Sequence, residues 1–196
     1  EGHRLIEEAF RAKTKFDGIW CTEEYAKKNS QLLTALIQGK NTWETTSTKS
    51  LSQVCDSQNN QGIIALLTLP EHTQFKIANS PYLLLDNISD PGNMGSLLRS
   101  AAWYGVNKVI CSDQCVDIYN PKVVRSGMGG HFYLESIINV NLIDTIGILK
   151  KQGYSIVAAT LDGVSHQELG MKNSLWALIL GNEAHGISDD LYDFVD

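Results

Sequence analysis

The chain is predicted to be an α/β protein whose larger part is built on a parallel sheet, and three observations point there. Apolar runs near 82–86, 108–111, 136–140, 155–160 and 176–181 recur roughly every 20 to 28 residues. None alternates strictly between apolar and polar residues, which is the pattern of strands covered on both faces. The intervals hold helical patterns or loops long enough for crossover connections.

The 196 residues open on a tighter rhythm. Leu5, Ile6, Ala9 and Phe10 stand at i, i+1, i+4 and i+5 in a charged background, predicting an amphipathic helix that ends near Lys13. A short strand is expected at 16–21. Thr22 followed by Glu23 and Glu24 reads as an N-cap with first-turn acids, and Leu32, Leu33, Leu36 and Ile37 mark a further helix that stops at Gly39. Residues 42–46 are β-prone, 51–54 form a short helix and 62–69 an apolar strand. We therefore expect a small α/β domain over 1–70, a polar, Pro-bounded linker over 71–81 and a second domain over 82–196.

The second domain is organised around its first 23 residues or so, 83–105. An apolar run ends at Asp86, a turn cluster containing Pro91, Gly92 and Gly95 follows, and Leu97, Leu98, Ala101 and Ala102 then recur at helical spacing until Gly105, a natural helix stop. The other face of that helix carries Ser96, Arg99, Ser100 and Trp103. In parallel sheets ligands gather at the carboxyl ends of the strands. Loops 86–95, 160–163 and 181–186 are expected to converge there.

With 43% apolar residues the chain can bury an ordinary core, and its net charge of −6 argues against gripping nucleic acid by bulk electrostatics. Residues 1–75 carry a net −1 and residues 76–196 a net −5, so an RNA partner would meet the basic spots Arg11, Lys13, Lys15, Lys27 and Lys28 first. Four cysteines without a C-x-x-C pair are expected to stay reduced, and five scattered histidines predict no metal site. The longest apolar runs, about five to seven residues, fall far short of the roughly 20 of a membrane span. A cytoplasmic location is expected. The sequence starts without Met and already inside a helix, as a trimmed one would.

Several chemistries drop out. The first strand of the second domain leads into Gly92-Asn93-Met94-Gly95, never G-x-G-x-x-G, and neither a P-loop nor a G-x-S-x-G elbow occurs. Gly181-Asn182-Glu183-Ala184-His185-Gly186 offers bare backbone and one carboxylate, suited to an uncharged or zwitterionic ligand rather than a pyrophosphate.

The residues then carry a resemblance. Asp86-Asn87, Asp90-Pro91-Gly92-Asn93, Gly95, Arg99 through Ala102 and Gly105, with Leu180-Gly181-Asn182-Glu183 and Gly186, resemble the first two signature motifs of the SpoU (TrmH-type) family of RNA ribose 2′-O-methyltransferases, in the SPOUT superfamily. Residues 120–132 resemble the segment between those motifs, although Gly127 sits where many members have a small polar residue. Residues 1–69 are similar to the substrate-binding domain that precedes the catalytic domain in many members.

The resemblance implies a SPOUT-type domain with a deep trefoil knot, S-adenosylmethionine bound in that knot, a homodimer, and an RNA substrate, ribosomal ahead of transfer RNA. Carried over, it makes Asn93, Arg99 and Glu183 catalytic, gives Thr160, Leu161, Leu180, Gly181 and Asn182 to the cofactor pocket, and turns Arg99 toward RNA; Arg125, beside Gly127, Gly129 and Gly130, is by its own neighbourhood a second candidate for gripping RNA phosphate. In the family the arginine is cast as the activator of the hydroxyl. A guanidinium is always protonated, so clamping phosphate and stabilising charge on the 2′-oxygen are its easier tasks, and its loss is expected to cut turnover more than cofactor affinity. A third family motif is expected beyond Asp196; were the chain to end there, knot closure and methyl transfer would be lost. A catalytically silent RNA-binding or scaffold relative is the alternative. Glu183 also reads as a helix N-cap acid, Arg125 as part of a glycine-rich turn, and Trp103 as packing at a subunit or domain contact; His131 and His185 are expected to be non-catalytic.

Overall fold

The computed structural model describes residues 1–57, 60–69, 77–165, 168 and 175–196, which fall into two units, Glu1–Glu71 and His72–Asp196. The first runs α1 (His3–Arg11), β1 (Gly18–Cys21), α2 (Glu23–Lys28), α3 (Ser30–Gln38), β2 (Glu44–Thr45), α4 (Thr48–Val54) and β3 (Ile63–Leu66). Its sheet has the order β2-β1-β3, with β2 parallel and β3 antiparallel to β1. Ile6 of α1, Leu33 and Leu36 of α3, and Tyr25 of α2 pack on Ile19, Cys21 and Ile63 of the strands in one core. Two caps fix helix starts. The Thr22 hydroxyl accepts the Tyr25 N–H at 3.1 Å and that of Ser47 accepts the Ser50 N–H at 3.0 Å, each worth about 1 kcal/mol. The strands are shorter than the apolar runs at 16–21 and 62–69, because pairing lasts only from Gly18 opposite Leu66 to Cys21 opposite Ile63.

The second unit runs β4 (Tyr82–Leu85), α5 (Pro91–Trp103), β5 (Lys108–Ser112), α6 (Pro121–Gly127), a 3-10 turn (Gly130–Tyr133), β6 (Glu135–Val140), α7 (Leu142–Lys151), β7 (Ser155–Ala158), β8 (Trp176–Leu180) and α8 (Asp189–Tyr192). Its five strands are all parallel in the order β6-β5-β4-β8-β7. Central β4 shows why these strands are apolar throughout. Tyr82 and Leu84 enter the core beneath α7 and α8, with Ile146, Leu149 and Leu191, whereas Leu83 and Leu85 enter the opposite core with Met94, Leu98 and Val123 of α5 and α6. Each such side chain contributes on the order of 2 kcal/mol.

Two features were not legible beforehand. The 120–132 segment contains α6 and the 3-10 turn, hidden because Gly127-Met128-Gly129-Gly130 reads as a turn; Met128 and Gly129 are indeed left-handed, at φ 49° and 90°. Of the expected linker over 71–81, residues 71–76 lie outside the described residues. The Ala78 N–H donates to the Tyr82 hydroxyl at 2.8 Å, and the Tyr154 hydroxyl donates to the Ser80 carbonyl at 3.0 Å.

Candidate active site

β4, β5 and β6 step outward in one direction, after which the chain crosses to β7 at the far edge and inserts β8 beside β4. The order reverses between β4 and β8, so a crevice opens at their carboxyl ends. Asp86, the first residue after β4, is 5% exposed. Its carboxylate accepts both the N–H and the hydroxyl of Ser188, at 2.7 and 2.8 Å, fixing the start of α8. Asn87 is left-handed, at φ 54°, and its N–H donates to the Ser112 hydroxyl at 3.0 Å.

Asn182 holds the two loops together. Its side-chain amide donates to the Asn87 carbonyl at 3.0 Å and to the Ser89 hydroxyl at 3.3 Å, while its side-chain oxygen accepts the Ala184 N–H at 2.9 Å. Its backbone exchanges two 2.8 Å bonds with Gly186, closing a tight turn. Only glycine fits at Gly181, where a Cβ would lie 2.2 Å from the Gly186 oxygen.

α5 begins at the same rim. Asp90 caps it by accepting the Asn93 N–H at 2.8 Å, with Pro91 in the first turn where a missing donor costs nothing. The Asn93 side-chain amide donates to the Glu183 carboxylate, joining the two motifs. Arg99 stands further along the same helix, exposed and without a side-chain partner among the described residues. Its backbone is packed closely: a Cβ at Gly130 would stand 3.0 Å from the Arg99 Cα, and one at Gly95 would meet the Ser126 hydroxyl at 1.9 Å. That hydroxyl donates to the Pro91 carbonyl at 3.1 Å, tying α6 to the start of α5.

His131 wedges beneath this contact. Nε2 bonds the Ile118 carbonyl at 2.8 Å, Nδ1 is buried without a partner among the described residues, and burial pushes the imidazole pKa down. A Cβ at Gly127 would stand 2.7 Å from its ring, so this glycine makes room for the histidine. Arg125 is exposed on α6.

The loop after β7 leaves the same edge. The Ala159 N–H donates to the Ile179 carbonyl at 3.1 Å, after which Thr160 is half-buried and Leu161 wholly exposed. Among the described residues, Thr160 and Leu161 make no hydrogen bond to the other two loops. Thus Asn93, Glu183, Gly181 and Asn182 are brought together, Arg99 lies on the helix that starts among them, and Thr160 and Leu161 share the edge without touching that cluster through hydrogen bonds. The bracing roles of Asp86, Ser188 and Ser126 escaped sequence reasoning; the one available signal was Ser188 before two acids, an N-cap pattern. No group of His, Cys, Asp and Glu that could hold a metal ion occurs among the described residues.

Residues 80–196 match the SpoU rRNA methylase family, and residues 1–73 match the RNA 2′-O ribose methyltransferase substrate-binding domain. The chain is 31% identical over 198 residues to the Bacillus subtilis 23S rRNA (guanosine(2553)-2′-O)-methyltransferase RlmP, covering all of this chain and 75% of that protein. It is 42% identical over 87 residues to human mitochondrial rRNA methyltransferase 3, of which it spans only 21%. A TrmH-family protein from Porphyromonas gingivalis superposes with a TM-score of 0.82 at 25% identity, over all of this chain and 76% of that one. The SpoU methyltransferase AviRb from Streptomyces viridochromogenes, solved with AdoMet, shares the fold at a TM-score of 0.79 and 21% identity, over 98% of this chain and 76% of that one. By its two matched domains and by a relative that aligns with the whole of it, the chain belongs to the SpoU rRNA methylase family.

Proposed function

We propose that this protein transfers a methyl group from S-adenosylmethionine to a ribose 2′-hydroxyl of RNA, ribosomal RNA ahead of transfer RNA. The observation that carries the reading is the hydrogen-bonded union of the loops after β4 and β8, which sets Asn93 and Glu183 side by side at the start of the helix bearing Arg99. The names of the relatives and the AdoMet-bound structure of the shared fold support it.

The residues expected around the cofactor suit it. Half-buried Leu180 precedes the bare backbone at Gly181, and wholly exposed Leu161 adds apolar surface from the loop after β7, with no glycine-rich phosphate cradle. Thr160 and Asn182 complete that wall in this reading. Bound there, S-adenosylmethionine would supply a methyl group to the ribose 2′-oxygen, its carbon–sulfur bond giving way to the new carbon–oxygen bond with the bonding pair left on sulfur and the hydroxyl proton released to solvent. What the protein must supply is placement and help for developing negative charge on oxygen. Arg99, permanently protonated, holds a substrate phosphate and stabilises that charge. Glu183 orients Asn93 toward the ribose, and Arg125 contacts RNA.

We further infer a homodimer, a trefoil knot in the second domain, domain limits near 1–70 and 82–196, and action in the cytoplasm. No helix among the described residues is long and apolar enough to cross a membrane. Incubating the full-length protein with methyl-labelled S-adenosylmethionine and deproteinised ribosomal RNA, then digesting to nucleosides, should yield a labelled 2′-O-methylnucleoside. Label confined to a base, or RNA binding without transfer, would rule the reading out in favour of a base methylase or a silent relative.

A further inference from the structure

Four helices end in the same hydrogen-bonded loop, yet the residue in its left-handed position differs between the two units. After α5 the Gly105 and Val106 N–H groups return to Ala102 and Ala101, and after α7 those of Gly153 and Tyr154 return to Lys150 and Leu149. After α1 the Lys13 and Thr14 N–H groups return to Phe10 and Ala9, both at 3.0 Å, and after α3 those of Lys40 and Asn41 return to Ile37 and Leu36, at 2.8 and 3.0 Å. The turning residue has φ of 74° at Gly105 and 84° at Gly153, against 59° at Lys13 and 64° at Lys40. That conformation favours glycine, and a side chain there is strained.

Helix electrostatics do not call for the lysines. α7 carries Lys150 and Lys151 in its last turn, where a cation suits the negative helix end, and still turns on Gly153. Nor are the two lysines far apart: the Phe10 ring lies against Gly39, whose Cβ would stand 2.6 Å from Phe10 Cε2, so the ends of α1 and α3 sit side by side. Lys13, Lys15 and Lys40 are exposed, and their ammonium groups have no partner among the described residues. Neighbouring Arg11 is tied to Glu7 and Glu8, and the Asp17 carboxylate accepts the Thr68 hydroxyl.

We propose that this pole of the first unit, at the entry to β1, is a phosphate-binding site for the RNA backbone, with Lys13 and Lys40 as its two anchoring cations and Lys15 beside them. The inference rests on the RNA reading above and names the surface that reading leaves open. Contacts of this kind fix register and supply salt-dependent affinity without reading bases.

The test exploits the strain. In the full-length protein, Lys13→Gly with Lys40→Gly removes two charges while installing the residue the loop favours, so the thermal midpoint should hold or rise. Binding to deproteinised ribosomal RNA should weaken roughly tenfold at 0.1 M KCl, and the slope of log affinity against log salt should shrink by about 1.4. Lys49→Ala, an exposed lysine on α4 of the same unit, serves as the control. Wild-type affinity and slope in the double glycine variant would overturn the proposal, the more so if Lys49→Ala carried the loss. Wild-type protein that binds no RNA at all would instead overturn the RNA reading itself.

Discussion

Three loops leave the carboxyl edge of the five-stranded sheet, and two are built differently from the third. Those after β4 and β8 are cross-braced: Asp86 holds Ser188, Asn182 holds Asn87 and Ser89, and Asn93 holds Glu183. The loop after β7 presents Leu161 and Val164 to solvent and makes no hydrogen bond from Thr160, Leu161 or Val164 to the other two among the described residues. In the proposed reading, Asn93 and Glu183, which would meet the reacting hydroxyl, stand on the braced side together with Gly181 and Asn182 of the cofactor wall, whereas Thr160 and Leu161 complete that wall from a loop with few internal bonds.

Breaking the braced side should cost most. Gly181→Ala forces a Cβ into the Gly186 carbonyl and should destabilise the second unit by about 3 kcal/mol, seen as a lower urea midpoint with loss of methyl transfer. Asn182→Ala removes three hydrogen bonds from a partly exposed site and should cost about 2 kcal/mol, with turnover falling further than the stability change explains. On the open side, Leu161→Ala should leave stability within about 0.5 kcal/mol and weaken S-adenosylmethionine binding about fivefold in calorimetry, roughly 1 kcal/mol.

The smallest effect concerns pH. Burial holds the His131 imidazole below its ordinary 6.5, so below that pH the unfolded chain takes up a proton that the native one refuses. Stability of the second unit should therefore decline as pH falls from about 6.5, and the decline should be shallower in His131→Gln. Identical pH profiles would remove His131 from the bracing of α5.

Much of this architecture could be read from residue patterns. Uninterrupted apolar strands, the Thr22 cap, the Gly105 stop and the two motifs each express a local rule: covered faces, an orphan N–H, a left-handed turn, a shaped loop. What stayed hidden depends on encounters between distant residues. Nothing local to Gly95 announces that Ser126 will press on it, and nothing local to Gly127 announces that His131 will fill its missing side chain. The Asp86 to Ser188 bond spans 102 residues. α6 was lost for the opposite reason, because the local glycine signal at 127–130 outweighed a seven-residue helix.

The most direct test of the division between the two sides is Arg99→Ala in the full-length protein, with turnover on ribosomal RNA and S-adenosylmethionine affinity measured on the same preparation. We expect turnover to fall about 100- to 1,000-fold while the cofactor dissociation constant stays within about twofold. A collapse of cofactor affinity with the residual turnover preserved would contradict this account and place Arg99 in the methyl-donor pocket instead.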